Sequence, residues 1–319
     1  MSMRLALSLV LILAAAPAFA KPVYNAPADV QAVTQLEKKN AAELDMGQLL
    51  AGYAPDLVVY DLIAPGLYKG RAQFVKNVQP QLAAVKSLTL SLPSINVLSD
   101  GTMACAAVQM HFDTVFKNGS TSSVGYRQLD VLRRLNGKWQ VVEEQLSFPA
   151  DPKTGLSLPN APQTAVAPIE FSTDPFAGRR VSVATAKAQI KDWVVRFAVA
   201  TNLDDTMALM GPGDDEVIFD MFSTVPLQGR QAITAAYAPL VARMASVAVS
   251  FPDFRADSDG YIGAQIDTQK LVIKMKDGST VNWLLRQSDC LHNVGGHWFS
   301  VFDELSFPMD PKTGKAVMN

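Results

Sequence analysis

Four aspartates stand where a carboxyl group could move a proton: Asp61 and Asp130 in the first half of the chain, Asp220 and Asp289 in the second. Abstracting a proton beside a carbonyl needs a base with a pKa near the working pH and a donor where the enolate charge grows, and two carboxyls in different surroundings can divide those tasks. Asp130 sits among Leu129, Val131 and Leu132; strand alternation puts Gln128, Asp130 and Leu132 on one face and Arg127, Leu129 and Val131 on the other. If the first face is concave, Gln128 and Asp130 point at a ligand. A structural reading stays open beside this one. In it Asp61 and Asp220 satisfy backbone donors in the turn before a helix, while Asp130 and Asp289 pair with arginines on the sheet. His111 and Asp113, two apart on one strand face, form a further candidate acid–base pair. Tyr60, Tyr126 and Phe219 are candidate pocket walls or plain core.

Other chemistry is excluded by what is missing. No Gly-rich phosphate loop, nucleophile elbow, Cys-x-x-Cys or His-Glu-x-x-His motif occurs, and three histidines leave few ligands for a metal, so neither cofactor nor metal is expected. With 28 basic and 30 acidic residues there is no positive field to gather nucleic acid. Cys105 and Cys290 are each expected as a buried free thiol, with a bridge between the two halves as the alternative.

The elements that must position these residues occur twice. Shifting the chain by 159 positions lays Leu146-Ser147-Phe148-Pro149 on Leu305-Ser306-Phe307-Pro308 and Asp151-Pro152-Lys153-Thr154-Gly155 on Asp310-Pro311-Lys312-Thr313-Gly314. The same shift, without a gap, maps Asp61 on Asp220, Gly70-Arg71 on Gly229-Arg230, Asp130 on Asp289 and Trp139 on Trp298; about a third of the columns over 44–155 are identical. Two copies this long are paired globular domains, not solenoid units. The expected boundaries are a first domain over 24–155, a proline-rich linker over 156–180 and a second domain over 181–314. In the first copy the pattern predicts helices over 28–42, from a cap at Asp45 to residue 53, and over 71–85. It predicts strands near 57–61, 87–97, 103–116, 122–134 and 139–148. Helices followed by meandering strands make an α+β fold.

This order, with Asp61, Gly70-Arg71 and the ending from Asn136-Gly137-Lys138-Trp139 to Ser147-Phe148-Pro149, resembles the SnoaL-like and ketosteroid-isomerase-like (nuclear transport factor two-like) superfamily, once per copy. The resemblance implies two cone-shaped domains, each a curved antiparallel sheet wrapped on a long helix with an apolar pocket at the wide end, paired as a pseudo-dimer within one chain. It implies a general base at Asp61 and Asp220, nine residues before Gly-Arg, and an oxyanion donor at Asp130 and Asp289, with Gln128 and Gln287 beside them. Ketosteroid isomerase is itself the standard case of a carboxyl kept protonated by an apolar site. The family's oxyanion tyrosine is replaced by Glu37 and Arg196, and the common histidine near the end by Gln145 and Glu304.

Residues 1–20 read as a signal peptide: Arg4, an apolar run too short to span a bilayer, and Ala18-Phe19-Ala20 as the cleavage site. A periplasmic or secreted protein with no stable membrane insertion is therefore expected. Three functions stay open, in order: binding of a small apolar or amphipathic ligand in a cone pocket; an isomerase or lyase using an aspartate base on a carbon acid; and a non-catalytic envelope module. If only one pocket works, the other should be filled by bulky side chains, and the second copy is the expected scaffold.

Overall fold

The structure, a computed structural model, describes residues 24–63, 66–167, 169, 180–211, 214 and 216–318. The expected signal peptide and most of the linker's second half lie outside the described residues. The first repeat runs α1 (Pro27–Ala42), α2 (Met46–Ala51), β1 (Tyr53–Tyr60), β2 (Leu67–Lys69), α3 (Gly70–Ala84), β3 (Val85–Ser99), β4 (Met103–Phe116), β5 (Thr121–Leu135) and β6 (Lys138–Ser147). The second runs α4 (Val183–Val199), α5 (Leu203–Ala208), β7 (Val217–Phe219), β8 (Leu227–Gln228), α6 (Gly229–Val241), β9 (Met244–Ser258), β10 (Ile262–Met275), β11 (Thr280–Val294) and β12 (His297–Ser306). The sheets have the same order, β2-β1-β6-β5-β4-β3 and β8-β7-β12-β11-β10-β9, so the fold is α+β and duplicated. Each sheet is mixed rather than purely antiparallel, because β1 lies parallel to β6 and β7 parallel to β12.

Local chemistry sets these elements. Pro27 occupies the first turn of α1, where a missing N–H costs nothing. The Asp45 side chain caps α2 by accepting from Gln48 N at 2.8 Å. That helix stops at Ala51, because Tyr53 already pairs with Val141 of β6, so the helix expected to run to residue 53 gives way to a strand. Gly70 and Gly229 enter α3 and α6 at φ +78° and +77°, where a side chain would be strained. The arginine after each glycine is structural: Arg71 Nη2 donates to Leu50 O at 2.9 Å and to Tyr53 O, and Arg230 Nη1 to Met207 O at 3.1 Å.

Bulges bend the sheets. Register shifts at Pro93 of β3 and at Pro252 of β9 occur on edge strands, where a missing donor is tolerated. A shift at Val142 between β6 and β5 recurs at Val301 between β12 and β11. The bulge turns Val142 outward and leaves Glu144 on the inner face with Val141 and Leu146.

The outer faces of the two sheets pack on each other. One apolar cluster holds Leu98, Met103, Cys105, Ala107, Leu129, Val131 and Val142 from the first repeat with Val217, Phe219, Ile262, Ala264, Cys290, Val301 and Phe302 from the second. Cys105 and Cys290 are bonded to each other, not free thiols; the interface brings their Cα atoms to 6.2 Å, within disulfide reach. Polar seams surround the cluster. Arg133 forks onto Asp257, Arg255 Nε meets Glu143 Oε1 at 3.0 Å, and Thr102 Oγ1 donates to Asp259 Oδ2 at 2.5 Å. The linker's described part crosses the first sheet, with Gly125 N donating to Pro159 O at 2.9 Å.

The bridge spans 185 residues of chain, so closing that loop removes about 5 kcal/mol of freedom from the unfolded state in the chain-entropy model. Replacing the two cysteines by their repeat equivalents, C105A with C290V, should cost about 2–5 kcal/mol in urea denaturation while leaving the dichroism of the folded state unchanged.

Candidate functional site

Inside the first cone lies a cavity of about 480 Å³, within the usual range for a small-molecule pocket. Its apolar wall includes Leu49, Val59, Phe74, Val78, Leu82, Phe112, Phe116 and Val124. The polar wall comes from Tyr53, Asp61, Tyr68, Tyr126, Gln128 and Glu144, with Glu43 also lining it, and no Lys, Arg or His is among the lining residues. Asp61 directly follows β1, where its Oδ1 accepts from Leu62 N at 2.7 Å and its Oδ2 from the Tyr68 hydroxyl at 2.8 Å. It is thus both the turn residue of the structural reading and a cavity residue. Tyr126 stacks on Phe112 at 5.2 Å between ring centres. Tyr53 donates its hydroxyl to Glu144 Oε2 at 2.7 Å, and Arg71 holds the Tyr53 backbone.

Behind this wall three buried carboxyls meet without a cation against them. Asp130 is fully buried and does not line the cavity; Gln128 Nε2 donates to its Oδ2 at 2.6 Å, and Glu37 of α1 bonds its carboxyl. Asp130 stands directly across from Glu144 in the β5–β6 ladder. Burial pushes Glu37 up to about 7. Asp130 is held well above the usual carboxylate range by burial and then by Glu37, and Glu144 by burial and then by Asp130. Burial and the neighbouring Asp130 thus favour the neutral form of Glu144, which shares the cavity wall with Asp61. Glu144 lines the cavity and Asp130 does not, because the bulge at Val142 swings Glu144 inward while the Gln128 amide covers Asp130. Glu144 has one sequence signal, an acidic residue between the apolar positions Val142 and Leu146; the bulge that aims it has none.

The second cone holds a cavity of only about 90 Å³. Val78, Val124, Leu62 and Thr114 of the first repeat are Tyr237, Trp283, Met221 and Ile273 here, and Tyr237, Trp283, Met221 and Ile273 line what space remains. Gln287 lines it too, but Asp220 and Asp289 do not. Asp220 caps its own turn, accepting from Phe222 N at 2.8 Å and Ser223 N at 2.9 Å. Asp289 is fully buried, accepting from Gln265 Nε2 at 2.6 Å and Gln287 Nε2 at 3.1 Å, and pairs with no arginine. Burial pushes it up to about 7.

Six other candidates lie away from both cavities. Tyr60 faces the second repeat, its hydroxyl 2.9 Å from Thr268 Oγ1, because the residue before Asp61 must point to the opposite sheet face. Phe219, its equivalent, is in the interface cluster. Gln145 donates to Glu304 O at 2.7 Å across the interface, where Glu304 is also buried and bonded by Ser147. His111 and Asp113 occupy the outer face of β4, bonded through Ser123 at 2.9 and 2.7 Å.

A model of the SnoaL-like domain matches residues 30–151, the span of the first repeat. Similar solved structures each match about one repeat's worth of the chain. An NTF2-like protein of unknown function from Pseudomonas putida KT2440 is 22% identical over 42% of this chain and 96% of its own, with a TM-score of 0.38. An NTF2-like superfamily protein from Salmonella enterica serovar Typhimurium is 22% identical over 41% and 98%, with a TM-score of 0.35. A type 2 hexachlorocyclohexane dehydrochlorinase is 11% identical over 38% and 84%, with a TM-score of 0.34. No curated protein matches the chain.

The buried carboxyls predict an unusual pH dependence. Burial raises Glu37, Asp289 and Glu304 to about 7 and Glu143 and Glu216 to about 8, so between about pH 5 and 8 the folded chain holds protons the unfolded chain has released. Their contribution is complete below the unfolded carboxylate pKa and is lost as pH rises through the folded values. Melting temperature should fall steadily from pH 5.5 to pH 8.5, and E37Q, which cannot ionise, should flatten part of that fall. A melting temperature that rises over this interval would contradict the reading.

Proposed function

We propose that this protein, whose first repeat matches the SnoaL-like domain, binds an uncharged, largely apolar small molecule in the first cone while the second repeat serves as its scaffold. One observation carries the reading: about 480 Å³ is open in the first repeat against about 90 Å³ in the second, at equivalent positions of one fold. The wall also selects ligand chemistry. Carboxyls at Glu43, Asp61 and Glu144 with no basic side chain among the lining residues disfavour an anion, and the polar end suits a hydroxyl or a carbonyl. Export to an oxidising compartment belongs to the same proposal and is supported by the buried Cys105–Cys290 bridge. None of the described helices is long and apolar enough to cross a membrane.

A second reading is favoured by Asp61 and Glu144 sharing one wall, with burial favouring the neutral form of Glu144: a carboxylate to take a carbon-bound proton and an acid to stabilise the enolate. It makes the protein a cofactor-independent isomerase or lyase.

Filling the first cavity with the second repeat's residues, V78Y with V124W, should weaken fluorescence-detected binding of naphthalene and 2-naphthol by at least about tenfold while leaving the melting temperature near that of the wild type. Unchanged binding would place the ligand elsewhere. For the catalytic reading, solvent deuterium exchange into the α-carbon of 2-tetralone should be accelerated by the wild type and fall by about a hundredfold or more in D61N. Equal rates in the two proteins would leave binding alone.

A further inference from the structure

Among the arginines that cross the interface, Arg127 and Arg286 are repeat equivalents, and their exchange is not symmetric in consequence. Arg286 of β11 is almost wholly buried and points away from its own repeat. Its Nη1 donates to Asp61 O at 2.5 Å, its Nη2 to Leu146 O at 3.5 Å, and its guanidinium lies 5.6 Å from the ring centre of Tyr60. Asp61 and Leu146 both line the first cavity, Asp61 just past the end of β1 and Leu146 near the end of the neighbouring parallel strand β6. Beside them Met309 N donates to Leu62 O at 2.9 Å, a third tie from the second repeat onto that wall. The equivalent Arg127 makes the mirror contacts, donating to Asp220 O at 2.8 Å and Ser223 O at 3.2 Å under Phe219. There it steadies a turn whose aspartate lines no cavity.

We propose that Arg286 is a positioning residue for the first repeat's site: by gripping the Asp61 and Leu146 carbonyls from the second repeat, it fixes where the Asp61 carboxylate meets a ligand's hydroxyl or proton. This rests on the reading of the first cavity as the binding site. The carbonyls need a forked donor with a fixed plane, which a guanidinium supplies and an ammonium does not. A repeat with a filled cone thereby acts as the built-in partner subunit of the other.

Because Arg127 is the repeat equivalent, buried to the same degree and likewise donating to backbone carbonyls of the opposite repeat, it controls for structural damage. Affinities for 2-naphthol and for naphthalene, which differ by one hydroxyl, are measured by fluorescence in the wild type, R286M, R286K and R127M. In R286M the 2-naphthol affinity should fall about tenfold, the scale of a hydrogen bond to a charged group, with naphthalene affinity unchanged. R286K should lose part of the same preference, and R127M should keep it within about twofold even if its melting temperature drops as far as that of R286M. If R286M and R286K keep the full hydroxyl preference, or if R127M loses it equally, the positioning role is overturned. If the wild type binds neither compound, the binding-site reading fails first and this inference falls with it. Should R286M not fold, R286K against R127M decides the matter.

Discussion

Everything in this molecule follows from burying the outer faces of two curved sheets against each other. A sheet that curls round a helix leaves its outer face bare, and a face carrying Met103, Cys105, Ala107, Leu129 and Val131 is too apolar to stay in water. Fusing two copies satisfies both faces at once and makes the pairing independent of concentration. The polar side chains on the same faces then have to find partners across the interface. Arg127 and Arg286 end on backbone carbonyls of the opposite repeat, Gln145 on Glu304 O, and Arg255 on Glu143. An unpaired group in such a place would cost about 1–3 kcal/mol, so these contacts specify one docking geometry rather than merely adding to its strength.

That pairing frees the inner faces to diverge. With stability supplied by the interface and the bridge between Cys105 and Cys290, one cone can remain hollow while the other fills with Tyr237, Trp283, Met221 and Ile273. The hollow cone retains features that packing alone would remove: Glu37, Asp130 and Glu144 buried together without a cation, and Asp61 at the cavity wall. Buried carboxyls without positive partners are destabilising when ionised and are tolerated by keeping their protons. Local departure from good packing of this kind is the ordinary mark of a functional site.

Periodicity in the sequence located the helices and strands, and the duplication showed through a third of the aligned columns. Alternation put Gln128 and Asp130 on one face, and the structure makes that face the inner one. It could not say which inner-face group reaches the cavity, since that depends on the bulge at Val142 and on the Gln128 amide lying over Asp130. Tyr60 and Phe219 were sorted as pocket residues because an aromatic strand residue has the same appearance on either face; the neighbour Asp61 pointing inward decides that Tyr60 points outward. His111 and Asp113 are adjacent as expected, but on the outer face.

What the sequence by itself determined is everything local or repeated: the two copies, their element order, the glycines that open α3 and α6, and the face that carries Asp130. Spacing and alternation act within a few residues, and the repeat supplies its own internal comparison. Only the tertiary structure decided the rest: the disulfide, the arginine exchange, the hollow and the filled cone, and Glu144 rather than Asp130 lining the cavity. Each of these joins residues that no short-range rule connects, and each is set by how two curved surfaces meet in space.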